Sequence, residues 1–292
     1  MFWLHKINRR IISKVGTMRL KDKIAIVTGA GRGIGKAISL AYADEGANVI
    51  AISRTLSEVE ETARQIRSTG KHATAIRADI SNIGEVENAI SFVIKEFGQV
   101  DILVNAAGIQ GPIGPIVEND INHWIQTAQV NLIGTFLCIR MVLPTMMKQG
   151  YGKIINFSGG GATSPRPYFT AYAASKGAVA HLTESLAGEL KGYNIQVNVI
   201  APGAVNTKML DQVLKAGLLA GEHEFKKAQE QLEKGGAPIE KPAKLAVFLA
   251  SDESNGLSGK LISAVWDNWQ HMASQISKIM SSDIYTLRRV IK

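Results

Sequence analysis

Short apolar runs alternate with longer amphipathic stretches along most of the chain. There are seven such runs, and most of them are rich in Ile and Val and almost continuously apolar, which is typical of strands that are covered on both faces. These predicted strands span residues 23–28, 48–53, 72–77, 100–105, 153–158, 195–200 and 260–264. Helical spacing of apolar residues between them predicts helices over 34–45, 56–68, 83–97, 120–148, 171–191 and 242–251. This alternation predicts βαβ units with right-handed crossovers, and so an α/β fold with one parallel sheet of about seven strands.

The body of the chain, residues 18–266, is predicted to be a single domain. No repeat, linker or low-complexity tract interrupts it, and a chain of 292 residues that is 46% hydrophobic can bury a large core. Residues 1–17 precede this domain as a basic extension, and residues 267–292 follow it as a C-terminal tail. Trp266 and Trp269 could wall a substrate pocket, but packing in the core or at a subunit interface is favoured.

Most of the charge lies in the N-terminal extension. Residues 1–23 contain seven Lys or Arg and one Asp, which accounts for six of the net charge of +8. The rest of the chain has no basic stripe with interleaved aromatic residues, so we expect no nucleic-acid binding. Apolar residues within 1–17 could suit weak association with a membrane surface or organelle targeting, but a natural start at Met18 is the favoured alternative. No run approaches about 18 consecutive apolar residues, so we expect no membrane span.

The numbers and positions of cysteine and histidine residues limit the kinds of site that the chain can form. The single cysteine, Cys138, excludes an intramolecular disulfide and suits a reducing compartment, so we expect a cytoplasmic protein. It lies in an apolar run and is predicted to be a core residue. The six histidines have no metal-ligand spacing, and no Gly-x-Ser-x-Gly element occurs. We therefore expect neither a catalytic metal nor a hydrolase.

The first predicted strand leads directly into a glycine-rich turn, Thr28–Gly35, which opens the first predicted helix. Glycines let the backbone approach a phosphate closely, and a helix N-terminus offers unpaired N–H groups and the positive end of its dipole. This context predicts a doubly wound (Rossmann) fold in which the turn binds the pyrophosphate of a dinucleotide. The residues predicted to bind it are Gly29, Arg32, Gly33, Ile34 and Gly35.

The end of the second predicted strand favours NADP(H) over NAD(H) as the cofactor. An NAD-dependent enzyme usually carries an acid there, about 20 residues past the glycines, to hold the ribose 2′-hydroxyl. This chain has Ser53 and Arg54 instead, and Arg32 lies inside the glycine turn. A 2′-phosphate needs cationic, fork-shaped donors and would be repelled by an acid. Either arginine alone could be merely solvated, but the two together predict NADP(H).

Tyr172 and Lys176 form the candidate catalytic pair. They are four residues apart in the predicted helix 171–191, so they project from the same face. A phenol with its ordinary pKa of about 10 is a poor base at neutral pH, and a nearby ammonium should lower that pKa. Such a pair is often only two surface residues. Its position after the fifth predicted strand and a Gly/Ser/Pro-rich loop is part of the family resemblance described below, and that resemblance implies catalysis with Tyr172 as proton donor and acceptor.

Taken together, the motifs resemble those of the short-chain dehydrogenase/reductase family over residues 18–265. The glycine turn is followed, in the family's order, by Asn105-Ala106-Ala107-Gly108, Asn131, Tyr172-Ala-Ala-Ser-Lys176, and Pro202-Gly203 with Thr207. The resemblance implies that Lys176 also holds the nicotinamide ribose. It implies that Asn131 anchors a proton-relaying water, although a buried amide that braces a helix is the alternative. Further cofactor contacts are implied for Asp79, Ile80, Asn105, Ala106, Gly108, Pro202, Gly203, Val205 and Thr207.

One position departs from the family's pattern. The substrate-orienting serine usually lies 13 residues before the tyrosine, and here that position is Gly159. Ser158, one residue earlier, is the favoured substitute as a catalytic residue, with Thr163 and Ser164 as alternatives. A missing oxyanion donor would slow turnover by about a hundredfold without abolishing the chemistry.

The sequence predicts an NADP(H)-dependent carbonyl reductase, or the reverse alcohol dehydrogenase, acting on a small-molecule carbonyl or alcohol that it does not identify. Residues 208–237 are predicted to form a substrate lid of one or two short helices. A cofactor-binding sensor or scaffold with weak catalysis is the alternative, whereas a sugar-nucleotide epimerase is disfavoured because only about 90 residues follow Pro202. The resemblance also implies a homodimer or homotetramer that pairs the helices near 120–148 and 171–191.

Overall fold

The computed structural model describes residues 18–289 of the protein, so the predictions for residues 1–17 lie outside the described part. Seven strands form one sheet with the order β3-β2-β1-β4-β5-β6-β7, and every neighbouring pair is parallel. The strands are β1 (Ile24–Thr28), β2 (Asn48–Ser53), β3 (Ala73–Arg77), β4 (Ile102–Asn105), β5 (Gly152–Phe157), β6 (Ile195–Ala201) and β7 (Leu261–Ser263). The predicted doubly wound sheet is therefore confirmed.

Helices cover both faces of the sheet. They are α1 (Gly33–Asp44), α2 (Leu56–Ser68), α3 (Ile83–Phe97), α4 (Ile121–Ala128), α5 (Gly134–Gln149), α6 (Thr170–Glu189), α7 (Lys208–Ala216), α8 (Glu222–Lys234), α9 (Glu240–Ala250) and α10 (Ile276–Met280). A π-helical segment, Gln129–Ile133, joins α4 to α5. Short 3-10 helices occupy Ile116–Glu118, Gly217–Ala220, Asp252–Ser254 and Trp269–Gln275.

The continuous apolar runs of the strands follow from burial on both faces. Side chains alternate along a strand, so Ala25 and Val27 of β1 join a core cluster with α1 and α9. Ile24 and Ile26 of the same strand join the cluster on the opposite face, with α3 and α5. The chain order reverses between β1 and β4, which opens a crevice at the carboxyl ends of these strands.

The helical stretch Ile121–Gln149 is long and apolar enough to cross a membrane by composition alone. Half of its most apolar part is buried inside the protein. Leu137, Ile139, Val142 and Met146 belong to the core beside β4 and β5, and Cys138 is buried among them as predicted. Packing in the core therefore accounts for the buried half of this helix, while Ile121, Ile125, Ile133 and Phe136 are exposed.

The residues after position 266 pack against the body of the protein. Trp269 is buried in the core beside Phe248, with ring centres 6.0 Å apart, and Ile279 of α10 joins the same cluster. Tyr285 O accepts a hydrogen bond of 2.8 Å from Leu261 N of β7. Trp266, by contrast, is 85% exposed. The prediction of core packing therefore holds for Trp269 but not for Trp266.

Candidate active site

A cleft of about 650 Å³ lies at the carboxyl ends of β1, β2 and β4, where the order of the strands reverses. Twelve of the predicted cofactor-binding residues line it. They are Gly29, Arg32, Gly33, Ile34, Gly35, Ser53, Arg54, Asp79, Ile80, Ala106, Gly108 and Thr207. The volume falls in the range of small-molecule and cofactor sites, which is roughly 300–1,000 Å³.

The N-terminus of α1 has the properties of a phosphate site. No side chain of the described residues caps it, and its first turn contains no acid, so its N–H groups face the cleft without a protein partner. Gly29 has a φ of +66°, and a Cβ there would lie 2.7 Å from the Ala107 Cα. A Cβ at Gly35 would collide with the Gly29 carbonyl group. The backbone can therefore make this turn only with glycine at these positions.

Cations and acids meet where the second strand ends. Arg32 Nη1 lies 3.1 Å from Glu58 Oε1, Lys208 Nζ lies 3.9 Å from the same oxygen, and Arg54 Nη1 lies 3.8 Å from Asp79 Oδ2. Sequence reasoning sought an acid only at the end of β2 and missed Glu58, which comes from the first turn of α2. The short connection from β2 to α2 was the available signal, because it brings the first turn of α2 beside the glycine turn.

Tyr172 and Lys176 are both buried on α6, and they approach each other. Lys176 Nζ lies 5.9 Å from the centre of the Tyr172 ring and donates a hydrogen bond of 2.9 Å to Phe157 O at the end of β5. Gly108 connects this pair to the cleft, since a Cβ there would lie 3.6 Å from Lys176 Nζ. The cofactor cleft and the Tyr172–Lys176 pair are therefore contiguous.

The electrostatic expectation for Tyr172 is wrong for this structure. Burial raises the pKa of Tyr172 above its ordinary value, and this effect outweighs the lowering by the nearby Arg166 guanidinium. Burial also lowers the pKa of Lys176 to about 8, because an ammonium loses its hydration when it is buried. The phenol is therefore protonated at neutral pH, a state suited to donating a proton rather than accepting one.

Asn131 braces the wall between the cleft and α6. Its Oδ1 accepts a hydrogen bond of 2.8 Å from Ile109 N, and its Nδ2 donates to Ile109 O and to Ser175 Oγ. The residue lies in the π-helical segment, a distortion that is frequent at functional sites. These contacts match the bracing alternative, while the relay of protons through a bound water stays a prediction.

Gly159 faces the phenol. A Cβ at Gly159 would lie 2.7 Å from the Tyr172 Cε1 and would collide with its hydroxyl oxygen. Ser158 is buried and continues the pairing with β6 through its backbone, but among the described residues its hydroxyl has no hydrogen-bond partner. Thr163 and Ser164 are exposed. The Tyr172 hydroxyl thus occupies the space that a side chain at 159 would need.

Asn105, Pro202, Gly203 and Val205 are predicted cofactor residues that do not line this cleft, whereas Thr207 does. Asn105 is buried, with its Nδ2 bonded to Asn156 Oδ1 at 2.9 Å. Gly203 has a φ of +81° and packs against Val265, while Val205 is buried beside it. Thr207 caps α7 by accepting a hydrogen bond from Met209 N, and its methyl group lies across the cleft from Gly33. Pro202 precedes this bend directly.

Arg166 is a candidate functional residue that sequence reasoning missed. Its guanidinium carbon lies 5.8 Å from the centre of the Tyr172 ring, and its Nε donates a hydrogen bond of 2.8 Å to Glu224 on α8. The available signal was one charged residue held between two prolines, Pro165 and Pro167, in a loop of small residues. Within residues 18–289 no group of three His, Cys, Asp or Glu side chains could hold a metal ion.

Comparison with known proteins agrees with this geometry. Residues 23–217 match the family model for short chain dehydrogenase. The chain is 37% identical over 245 residues to the short-chain reductase protein NovJ of Streptomyces niveus, covering 83% of this chain and 92% of that protein.

Two solved structures resemble the fold. NAD⁺-bound xylitol dehydrogenase has a TM-score of 0.79 and 27% identity, covering 84% of this chain and 98% of that one. A gluconate 5-dehydrogenase from Burkholderia cenocepacia, in complex with NADP and tartrate, has a TM-score of 0.76 and 30% identity over 85% of this chain and 95% of that one. The resemblance stated from the motifs is therefore confirmed, and the chain belongs to the short-chain dehydrogenase/reductase family of oxidoreductases.

Proposed function

We propose that the protein is an NADP(H)-dependent oxidoreductase that interconverts a carbonyl compound and a secondary alcohol, with Tyr172 as general acid and base. The continuity of the dinucleotide cleft with the Tyr172–Lys176 pair at Gly108 is the observation that carries this proposal. A group bound in the cleft beside Gly108 would lie next to the only tyrosine–lysine pair buried on α6.

The chain's own residues divide the work between binding and proton transfer. The uncapped α1 N-terminus would bind the pyrophosphate, and Lys176 would hold the ribose hydroxyls. The nicotinamide cofactor would supply or accept the hydride at the carbonyl carbon. Tyr172 would give its phenolic proton to the carbonyl oxygen, or take the hydroxyl proton in the reverse direction.

The preference for NADP(H) rests on the charges where the second strand ends. Arg32, Arg54 and Lys208 bring three cations there against the two carboxylates Glu58 and Asp79. A 2′-phosphate would compete with Glu58 for Arg32, since both are anions that a guanidinium binds through paired hydrogen bonds. We propose that the surplus of cations favours NADP(H), and that competition from Glu58 weakens this preference and leaves NAD(H) usable at higher concentration.

The substrate side is less constrained. Ser158 remains the proposed substrate-orienting residue. Because Gly159, which faces the phenol, has no hydroxyl, a weaker oxyanion donor is part of the proposal. The solved relatives named for xylitol and gluconate support polyhydroxylated secondary alcohols and their ketones as the first compounds to assay.

A homodimer or homotetramer is proposed on the exposed apolar face of the 121–149 helix. Ile121, Ile125, Ile133 and Phe136 are all exposed there, at spacings that place them on one side of the helix. Burying this face against a second copy would remove it from water, and light scattering of the purified protein tests this. A cytoplasmic location also stays a proposal.

The alternative is a cofactor-binding sensor or scaffold with weak catalysis, and Gly159 is the observation that favours it. Measuring NADPH binding, NADPH oxidation with a panel of ketones and aldehydes, and the effect of Tyr172→Phe separates the two. Turnover that falls about a thousandfold in Tyr172→Phe with NADPH binding unchanged supports the enzyme. Tight NADPH binding without turnover of any carbonyl, and with no effect of the substitution, would support the sensor.

A further inference from the structure

The loop between β5 and α6 meets the α7–α8 segment, residues 208–234, at an ion pair beside Tyr172. Arg166 Nε and Nη2 each lie 2.8 Å from the same oxygen of Glu224, which is in the first turn of α8. The two side chains are only 18% and 19% exposed. A pair this sheltered from water is screened less than a surface ion pair.

The guanidinium occupies a defined position over two aromatic rings. Its central carbon lies 3.9 Å from the centre of the Phe169 ring and 5.8 Å from the centre of the Tyr172 ring. Gly160 lies beside it, since a Cβ at that position would be in ordinary van der Waals contact, 3.6 Å from the same carbon. Stacking on the Phe169 ring and the ion pair with Glu224 therefore hold the cation near the phenol.

Apolar contacts join the loop and the segment at further points. The Tyr168 ring lies against Gly221, where a Cβ would be 2.7 Å from the Tyr168 Cε2. Phe169 is fully buried in a small cluster with Leu210 and Val213 of α7 and Ala228 of α8. Arg166–Glu224 is the charged contact of this interface, and such pairs stabilise a fold weakly compared with the apolar groups that could replace them. A role beyond stability is the better account of it.

Few charged groups act on Tyr172. Among the described residues, Lys176 on the same helix and Arg166 on the preceding loop approach its ring, and Glu224 acts through Arg166. The pKa of Lys176 is lowered to about 8 by burial, so its positive charge weakens in mildly alkaline solution. Arginine remains charged throughout this range.

We propose that Arg166 is a positioning residue: held by Glu224, it fixes the α7–α8 segment against the active-site loop and keeps a permanent cation over the face of Tyr172. This inference rests on the proposed function of Tyr172. It links the α7–α8 segment, which the sequence predicts to be a substrate lid, to Tyr172, because that segment supplies the carboxylate that orients the cation. Arg166 also opposes the effect of burial on Tyr172 by lowering its pKa.

The pH dependence of alcohol oxidation by the full-length protein with NADP⁺ tests the proposal. Oxidation needs the deprotonated phenol, so kcat/KM rises with pH to a plateau. Arg166→Gln should lower kcat/KM about tenfold at neutral pH and move the midpoint of the rise upward by roughly 0.5–1 pH unit. Arg166→Lys keeps the charge, so it should move the midpoint less. Glu230→Gln, which removes the exposed Lys234 pair on the same helix, is the matched control and should change neither.

The exchanged pair R166E/E224R separates the two parts of the proposal. It can restore the contact between loop and segment, so KM should return towards the wild-type value relative to Arg166→Gln. It also places an anion near Tyr172, so the midpoint should move further upward than in Arg166→Gln. If all Arg166 and Glu224 variants keep the wild-type midpoint, the proposal is overturned, whatever happens to KM.

A direct titration of Tyr172 keeps this test distinct from that of the proposed function. The NMR signal of isotope-labelled tyrosine Cζ reports ionisation without turnover, and Tyr172→Phe assigns the signal. An upward shift of the Tyr172 titration in Arg166→Gln supports the inference even if no carbonyl compound is reduced. An unchanged titration in an active enzyme would reject the inference and leave the proposed function intact.

Discussion

The two halves of the active site are built in different ways. The cofactor half, around β1, α1 and β2, is shaped by backbone: an uncapped helix N-terminus and glycines that sit where no Cβ fits. The substrate half, around the 158–169 loop and the α7–α8 segment, is shaped by side chains that meet from distant parts of the chain, such as Arg166 and Glu224. Backbone geometry tolerates few alternatives, whereas side-chain contacts can be exchanged one by one. The first half therefore suits a function shared by a family, and the second suits a function that differs between its members.

Gly35→Ala should have the largest effect on the cofactor half. Its Cβ would collide with the Gly29 carbonyl group, so the phosphate-binding turn must move. We expect NADPH binding to weaken by about tenfold to a hundredfold, which corresponds to the roughly 1–3 kcal/mol that overpacking usually costs. Isothermal titration calorimetry measures this.

Gly188→Ala is the matched control for that substitution. Gly188 lies on α6 with no atom within 4 Å of a Cβ placed there, so NADPH affinity should not change. Equal losses in both variants would mean that the turn is not defined by its backbone, and the contrast between the two halves would fail.

Gly159→Ala and Gly159→Ser probe the substrate half as a matched pair. Both add the same Cβ, which would displace the Tyr172 ring, but only serine adds a hydroxyl. We expect alanine to lower kcat by about tenfold with NADPH affinity unchanged, and serine to recover part of that loss by donating a hydrogen bond to the substrate oxygen. Steady-state kinetics of both variants tests this expectation. Identical kcat values would exclude a role for a hydroxyl group at position 159.

Cofactor preference should respond to the charges at the end of β2. We expect Arg32→Gln to weaken NADPH binding by about fivefold to tenfold while NADH binding changes little, because only the 2′-phosphate needs the guanidinium. Glu58→Gln should have the opposite effect and tighten NADPH binding, since it removes the anion that competes for Arg32. Dissociation constants for both cofactors test this; weaker NADPH binding in Glu58→Gln would mean that Glu58 orients Arg32 rather than competing with the phosphate.

Lys176→Met should change how the free energy of unfolding depends on pH. The pKa of Lys176 is lowered to about 8 in the folded state, while the unfolded chain keeps its ordinary value of 10.5. Between these pH values the unfolded state binds more protons, so the wild type gains stability as pH rises through the window. The variant lacks this gain, so its stability relative to the wild type should fall from pH 8 to pH 10.5. Urea unfolding across the window measures the difference, and parallel curves would show that Lys176 is not desolvated.

Local patterns were sufficient for the fold and the cofactor half. Helix α3 spans 83–97 and β2 spans 48–53 as the sequence predicts, because the apolar spacing of each element depends only on its own residues. The glycine turn could be predicted for the same reason, because its strand, turn and helix follow one another directly in the sequence.

The substrate half and the electrostatics were not accessible in this way. Glu58 and Arg166 were missed because each acts on a partner from another element. The effect on Tyr172 had the wrong sign because the proximity of Lys176 can be derived from helical spacing, whereas the depth of burial cannot.

The sequence by itself determined the order of strands and helices, the phosphate-binding turn and the pairing of Tyr172 with Lys176 on one helical face. The tertiary structure decided which charges reach Tyr172, that Gly159 faces it, and that Glu58 forms an ion pair with Arg32. The physical reason is the distance along the chain between the residues that interact. Secondary structure and turns depend on residues a few positions apart, while burial and ion pairing depend on which distant segments pack together, and these two determine the charge state of a buried phenol.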